Sequence, residues 1–167
     1  MTSTRNYKAI AVQYAKDLVA GKLLAGKEVI LAGQRFLDDL EREDLELHDK
    51  EAVFVLGMIE RTMVHKQGEA LDGTPLLGKP LIMQPWQVFC IYNLVAWYYK
   101  GTKERRFKEA FIFIPRKNGK TLFAAALGWA LAVLERMSGA KAARPSNLVP
   151  QINVRGSLGT PVENRGF

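Results

Sequence analysis

The segment Pro115-Arg116-Lys117-Asn118-Gly119-Lys120-Thr121 brings together what binding a polyphosphate requires. A triphosphate is held by several N–H donors turned toward one point, and a helix N-terminus beneath them adds donors and partial positive charge. Gly119 lets the main chain curl close to an oxygen. Lys120 reaches the outer phosphates, and the Thr121 hydroxyl can ligate a magnesium ion bridging them. Arg116 and Lys117 either touch phosphate and sense its hydrolysis or are solvated loop charges. The usual pattern places a glycine five residues before Gly119, where this sequence has Ile114.

Upstream, Trp86-Gln87 offers a second kind of chemistry. A glutamine amide donates to and accepts from an adenine edge at once. The other reading is that Gln87 bonds back to the start of its own helix. Trp86 is either an adenine platform or core. Arg105 and Arg106 either meet DNA phosphates or belong to a solvated turn.

These residues need a strand before the loop and a helix after it. Residues 107–114 end in a continuous apolar run of strand length that breaks at Pro115, and a helix is expected over 120–136. Residues 86–100 are apolar on nearly every side and read as a buried helix opened by Pro85 and closed by Gly101. Before them, helical spacing predicts helices over 7–19 and 27–40, and a third from about His48-Asp49 to Gly68. Residues 73–85, punctuated by Gly73, Pro75, Gly78 and Pro80, read as a structured loop, with a short strand near Leu81. From Ser138 onward, scattered glycine and proline without periodicity predict an irregular or disordered tail.

The chain has 167 residues, 48% of them hydrophobic and 25% charged, which is the balance of a soluble globular protein. Its net charge of +7 is unevenly placed. Lys100, Lys103, Arg105, Arg106, Lys108, Arg116, Lys117 and Lys120 face only Glu104 and Glu109 in their window, so positive charge gathers around the loop. The opposite run, from Asp38 to Glu51, reads as a mostly solvated face without metal-ligand spacing. Cys90 is the only cysteine, makes no internal disulfide and suits a reducing compartment, so the cytoplasm is expected. The longest apolar stretches fall short of the ~20 residues that span a bilayer, and no membrane role is expected.

The run Ile114-Pro115-Arg116-Lys117-Asn118-Gly119-Lys120-Thr121, preceded by Arg105-Arg106-Phe107 and by Gln84-Pro85-Trp86-Gln87, closely resembles the large terminase subunit of tailed bacteriophages. Gly33-Gln34-Arg35-Phe36-Leu37 is similar to that family's leading region. The resemblance covers roughly residues 7–136 and is most specific over 85–121. In this family the loop commonly lacks the first glycine, so Ile114 is expected. The resemblance implies an ATP- and Mg2+-dependent motor that packages double-stranded DNA, acting as a homo-oligomer with the small terminase subunit and the capsid portal. It places Trp86-Gln87 on the adenine side and Pro115, Arg116, Lys117, Asn118, Gly119, Lys120 and Thr121 in the phosphate loop.

The fold class expected is α/β: a helical N-terminal region over 1–70, the start of a P-loop ATPase domain over 71–137, and a tail over 138–167. Hydrolysis also needs an acidic residue at the end of a second buried strand. After Thr121 the only acidic residues are Glu135, expected to be helical, and Glu163 in the tail. The carboxylate cluster of a nuclease domain has no place in this sequence. The chain therefore reads as the N-terminal fragment of a terminase large subunit, its tail non-native and frame-shifted. Two other readings stay open: a non-enzymatic helical DNA-binding module using the basic 100–120 patch, and an inactive remnant.

Overall fold

The computed structural model describes residues 5–66, 68–70, 72–114, 119–137 and 151–155, the backbone alone for 135–137 and 151–155. The architecture is mixed: five helices and two small two-stranded sheets among the described residues.

Helix α1 (Tyr7–Val19) begins where the Asn6 side chain accepts a hydrogen bond from the Ala9 N–H at 3.0 Å, satisfying one donor of the first turn. Tyr7, Ala11, Ala15 and Leu18 form its buried stripe. Helix α2 (Lys27–Asp39) packs against that stripe through Gly33. A Cβ at Gly33 would lie 3.3 Å from Leu18 Cδ1 and 3.4 Å from the Ala15 carbonyl oxygen, so the missing side chain lets the two helices approach closely.

Strand β1 (Leu45–Leu47) follows, then helix α3 (Asp49–Thr62), which buries Ala52, Val55, Leu56 and Ile59. The third helix ends at Thr62 rather than Gly68, because Met63 turns to extended backbone and the Leu81 N–H bonds to its carbonyl at 2.9 Å. The strand expected near Leu81 is absent; Pro80 makes only an isolated bridge to Val64.

Helix α4 (Pro85–Ala96) opens on Pro85, whose missing N–H costs nothing at a first helical position. It ends earlier than the apolar run does. Trp97 adopts extended backbone, and β2 (Trp97–Tyr99) pairs antiparallel with β1 in the register Leu45↔Tyr99, Leu47↔Trp97. Three consecutive aromatic residues favour a pleated strand once a partner edge is present.

The fifth helix, α5 (Lys120–Met137), lies between two strands, β3 (Glu109–Phe113) and β4 (Gln151–Arg155). These pair in parallel from Glu109↔Gln151 to Phe113↔Arg155. Of the tail expected to be irregular, residues 151–155 form a strand, while residues 138–150 and 156–167 lie outside the described residues.

Phe36 sits at the centre of the core, with the rings of Phe89, Tyr92 and Trp97 edge-on to it at 5.4, 6.3 and 5.9 Å. One hydrophobic cluster runs from Tyr7 and Phe36 through Leu56, Ile91 and Trp97 to Phe123 and Leu131. Residues on both sides of position 70 share that core.

In the acidic run Asp38, Glu41, Glu43 and Asp44 are exposed, as a solvated face requires, while Asp39, Asp49 and Glu51 are drawn into pairs. Asp39 is 2% exposed and pairs with Arg106, with Arg42 at 3.7 Å. Glu51 pairs with Arg105 at 2.8 Å and accepts from the Tyr98 hydroxyl at 2.6 Å, while Asp49 accepts from the Tyr92 hydroxyl at 2.5 Å. A separate clasp forms at Glu60, which pairs with Arg5 and accepts from the Tyr7 hydroxyl at 2.8 Å and the Met83 N–H at 3.0 Å.

Candidate phosphate-binding site

Strand β3 runs into buried Ile114, and α5 starts at Lys120. Pro115, Arg116, Lys117 and Asn118 lie between them, outside the described residues. Gly119 has φ +65°, a left-handed conformation that strains any residue carrying a Cβ. Its carbonyl accepts the Phe123 N–H at 2.9 Å, so Gly119 is the residue from which the helix grows. Among the described residues nothing lies within 4 Å of where a Gly119 Cβ would be. The conformation, not crowding, calls for glycine.

Lys120 and Thr121 are the first two residues of α5, Lys120 half-buried and Thr121 exposed. Among the described residues neither side chain has an ion-pair or hydrogen-bond partner. The first turn of α5 thus carries backbone N–H groups with no partner inside the helix, the positive end of its dipole, an unspent ammonium and an accessible hydroxyl. That combination is suited to an anion.

Trp86, in the first turn of α4, packs its ring on Phe123 in the first turn of α5, the centroids 5.4 Å apart and tilted by 44°. Two stretches far apart in sequence therefore come together, the Trp86-Gln87 pair and the start of the loop helix. Trp86 is a packing residue in this arrangement. The Gln87 Oε1 accepts the Gln84 N–H at 2.8 Å, the helix-start bond that was the alternative to adenine recognition.

Arg105 and Arg106 take no part in a surface patch. Arg105 is 4% exposed, donates to the Val95 carbonyl at 2.6 Å and lies over the Tyr98 ring at 5.0 Å. Arg106 stacks on Phe107 at 5.0 Å while paired to Asp39. The sequence reading missed these pairs; setting the opposite charge runs against each other, rather than each against solvent, is the signal that would have found them. Burial pushes the Cys90 thiol up to about 12, so it stays protonated near neutrality and is no nucleophile.

Glu135 falls within α5 and so does not end a strand. Among the described residues no three His, Cys, Asp or Glu side chains gather to hold a metal ion. At a loop of this type a magnesium ion would be shared by the Thr121 hydroxyl and an acid at a second strand end, and among the described residues only the hydroxyl is in place. No helix of the described residues is long and apolar enough to cross a membrane. Comparison with protein-family models, with curated proteins and with solved structures finds no match for this chain.

Proposed function

We propose that this chain binds magnesium-ATP at the junction of β3 and α5, and that it is part of a motor of the terminase large-subunit type. Gly119 in a left-handed conformation at the head of α5, followed by an ammonium and a hydroxyl without partners among the described residues, carries the reading. The parallel pairing of β3 with β4 around α5 supports it, because a strand–loop–helix–strand unit is the setting in which such loops work.

In this reading the α5 N–H groups and Lys120 neutralise the β- and γ-phosphate oxygens, and the Thr121 hydroxyl orients the cation. The bound cation supplies charge neutralisation as the terminal phosphoryl group departs. Arg116 and Lys117 are the loop cations available to touch phosphate or sense its hydrolysis, and Gln87 reads the adenine edge through the amide nitrogen that its helix-start bond leaves available, while Trp86 holds α4 against α5. Double-stranded DNA, further copies of the chain, a small terminase subunit and the capsid portal are the partners of the assembled motor. The DNA-binding reading loses two of its cations, since Arg105 and Arg106 are spent on Glu51 and Asp39.

Equilibrium titration with a fluorescent ATP analogue tests the proposal. Binding is expected to require Mg2+ and to fall by roughly two orders of magnitude in Lys120→Ala, the loss of a charge-assisted contact worth about 2–3 kcal/mol. Unchanged affinity in a folded Lys120→Ala chain overturns it.

A further inference from the structure

Trp86 stands where α4 meets the head of α5, and the chain that carries it is fixed. Met83 donates its N–H to the Glu60 carboxylate of α3 at 3.0 Å, and its carbonyl accepts from Arg5 at 3.2 Å. Pro85, with its locked φ, and the bond from the Gln84 N–H to Gln87 Oε1 at 2.8 Å then set the first turn of α4. The indole therefore projects from a stretch that is tied to α3 and has little freedom to yield.

Across the contact, Phe123 is 1% exposed and is the first fully buried residue of α5. Its N–H closes the first turn of the helix on the Gly119 carbonyl at 2.9 Å. The amides just before it, of Lys120, Thr121 and Leu122, have no acceptor inside the helix and are the donors that a bound phosphate would use. Where those N–H groups point follows from where Phe123 sits. Phe123 in turn is seated against the indole, the centroids 5.4 Å apart and the rings tilted by 44°. An aromatic pair at this separation adds to the area it buries and favours particular ring orientations, so it fixes a direction as well as a distance.

We infer that Trp86 is a positioning residue for the phosphate end of the site. Through Phe123 it holds the first turn of α5, and so it sets the affinity for a polyphosphate whether or not a base is attached. The inference rests on the nucleotide reading above and departs from the expectation that Trp86 serves the adenine side.

Calorimetric titration of the full chain with magnesium tripolyphosphate, which carries no base, and with magnesium-ATP tests it. Trp86→Leu is expected to weaken both ligands by the same factor, roughly fivefold. Trp86→Phe, which keeps a ring against Phe123, should recover most of that loss. Phe123→Leu should lose about as much as Trp86→Leu, and the double variant no more than either, because a single contact is removed. In the unsubstituted chain with ATP bound, nuclear Overhauser effects from the indole are expected to the Phe123 ring and not to adenine; this measurement decides the matter even if a variant does not fold. Four results each overturn the inference and leave the nucleotide reading standing: a Trp86→Leu chain weakened toward ATP alone, Overhauser effects from the indole to adenine, losses that multiply in the double variant, or a lowered melting temperature at unchanged tripolyphosphate affinity. If the unsubstituted chain binds neither ligand, the nucleotide reading itself fails and takes this one with it.

Discussion

Removing the Arg106 guanidinium is the sharpest test of how the two charge runs are used. Its side chain is 14% exposed and the Asp39 carboxylate 2% exposed, and Asp39 Oδ2 has no hydrogen-bond partner. Deleting one member of a pair this buried leaves the other charge uncompensated, which typically costs about 3–5 kcal/mol. In Arg106→Ala the remaining carboxylate keeps Arg42 at 3.7 Å, half-exposed and less well placed, so the lower end, about 3 kcal/mol, is expected. For a chain of this size that lowers the melting temperature by roughly 6–12 °C. Asp39→Asn should cost at least as much, since Arg106 then shares Phe107 with the like-charged Arg35. The double variant Asp39→Leu/Arg106→Leu removes both charges and should be less destabilised than the two single losses added together. Urea and thermal melts of the four proteins measure this. If both single variants melt within about 1 kcal/mol of the parent, the pair is solvated and the argument fails. If Arg106→Ala instead lowers DNA affinity without touching stability, the guanidinium belongs to a nucleic-acid surface.

Three further outcomes are expected. Gly119→Ala should cost about 1 kcal/mol from the left-handed backbone, with ATP-analogue affinity falling by more than stability does; equal binding by calorimetry would count against the loop. Gly33→Leu should destabilise by about 1–3 kcal/mol by forcing α1 and α2 apart, whereas Gly33→Ala stays within about 1 kcal/mol of the parent, its gain in helix propensity offset by the 3.3–3.4 Å contacts. Burial, the hydrogen bond to Glu60 and the Glu60 charge raise the Tyr7 pKa from 10.0 to about 12. Between those values the unfolded chain loses the phenol proton before the folded one does, so the native state binds more protons and stability falls as pH rises, by up to about 1.4 kcal/mol per pH unit for this group. Tyr7→Phe should flatten denaturation midpoints over that window by about one proton; an unchanged slope would contradict the assignment.

The helices announced themselves where a cap and a 3.6-residue stripe coincided. Tyr7–Val19 shows both, and its observed bounds match the expected ones. Helix α5 was legible because the apolar run that ends residues 107–114 breaks at Pro115 and a second apolar stretch begins after Gly119. The switch at Ala96 was not legible, since an unbroken apolar run contains no boundary; only the presence of Leu45–Leu47 as a partner makes Trp97–Tyr99 a strand. Strand β4 was missed although Gln151-Ile152-Asn153-Val154-Arg155 alternates polar and β-branched residues, because the glycines and prolines around it set the reading of the whole stretch. Of the site, Gly119, Lys120 and Thr121 sit where the spacing put them, while Pro115, Arg116, Lys117 and Asn118 fall outside the described residues. Composition alone assigned the charges of Arg105 and Arg106 to the surface; the fold turns both inward, because only a tertiary structure decides which acids they meet.

The contact between Trp86 and Phe123 gives the molecule an optical reporter of its own. Trp97 is enclosed and Trp129 lies toward solvent, so replacing Trp129 with Phe leaves two indoles, of which only Trp86 touches the head of α5. A tilt of that helix by even a small angle changes what the indole touches, and with it the colour and lifetime of its emission. Any movement of the head of α5 can therefore be followed in the unlabelled chain, in real time.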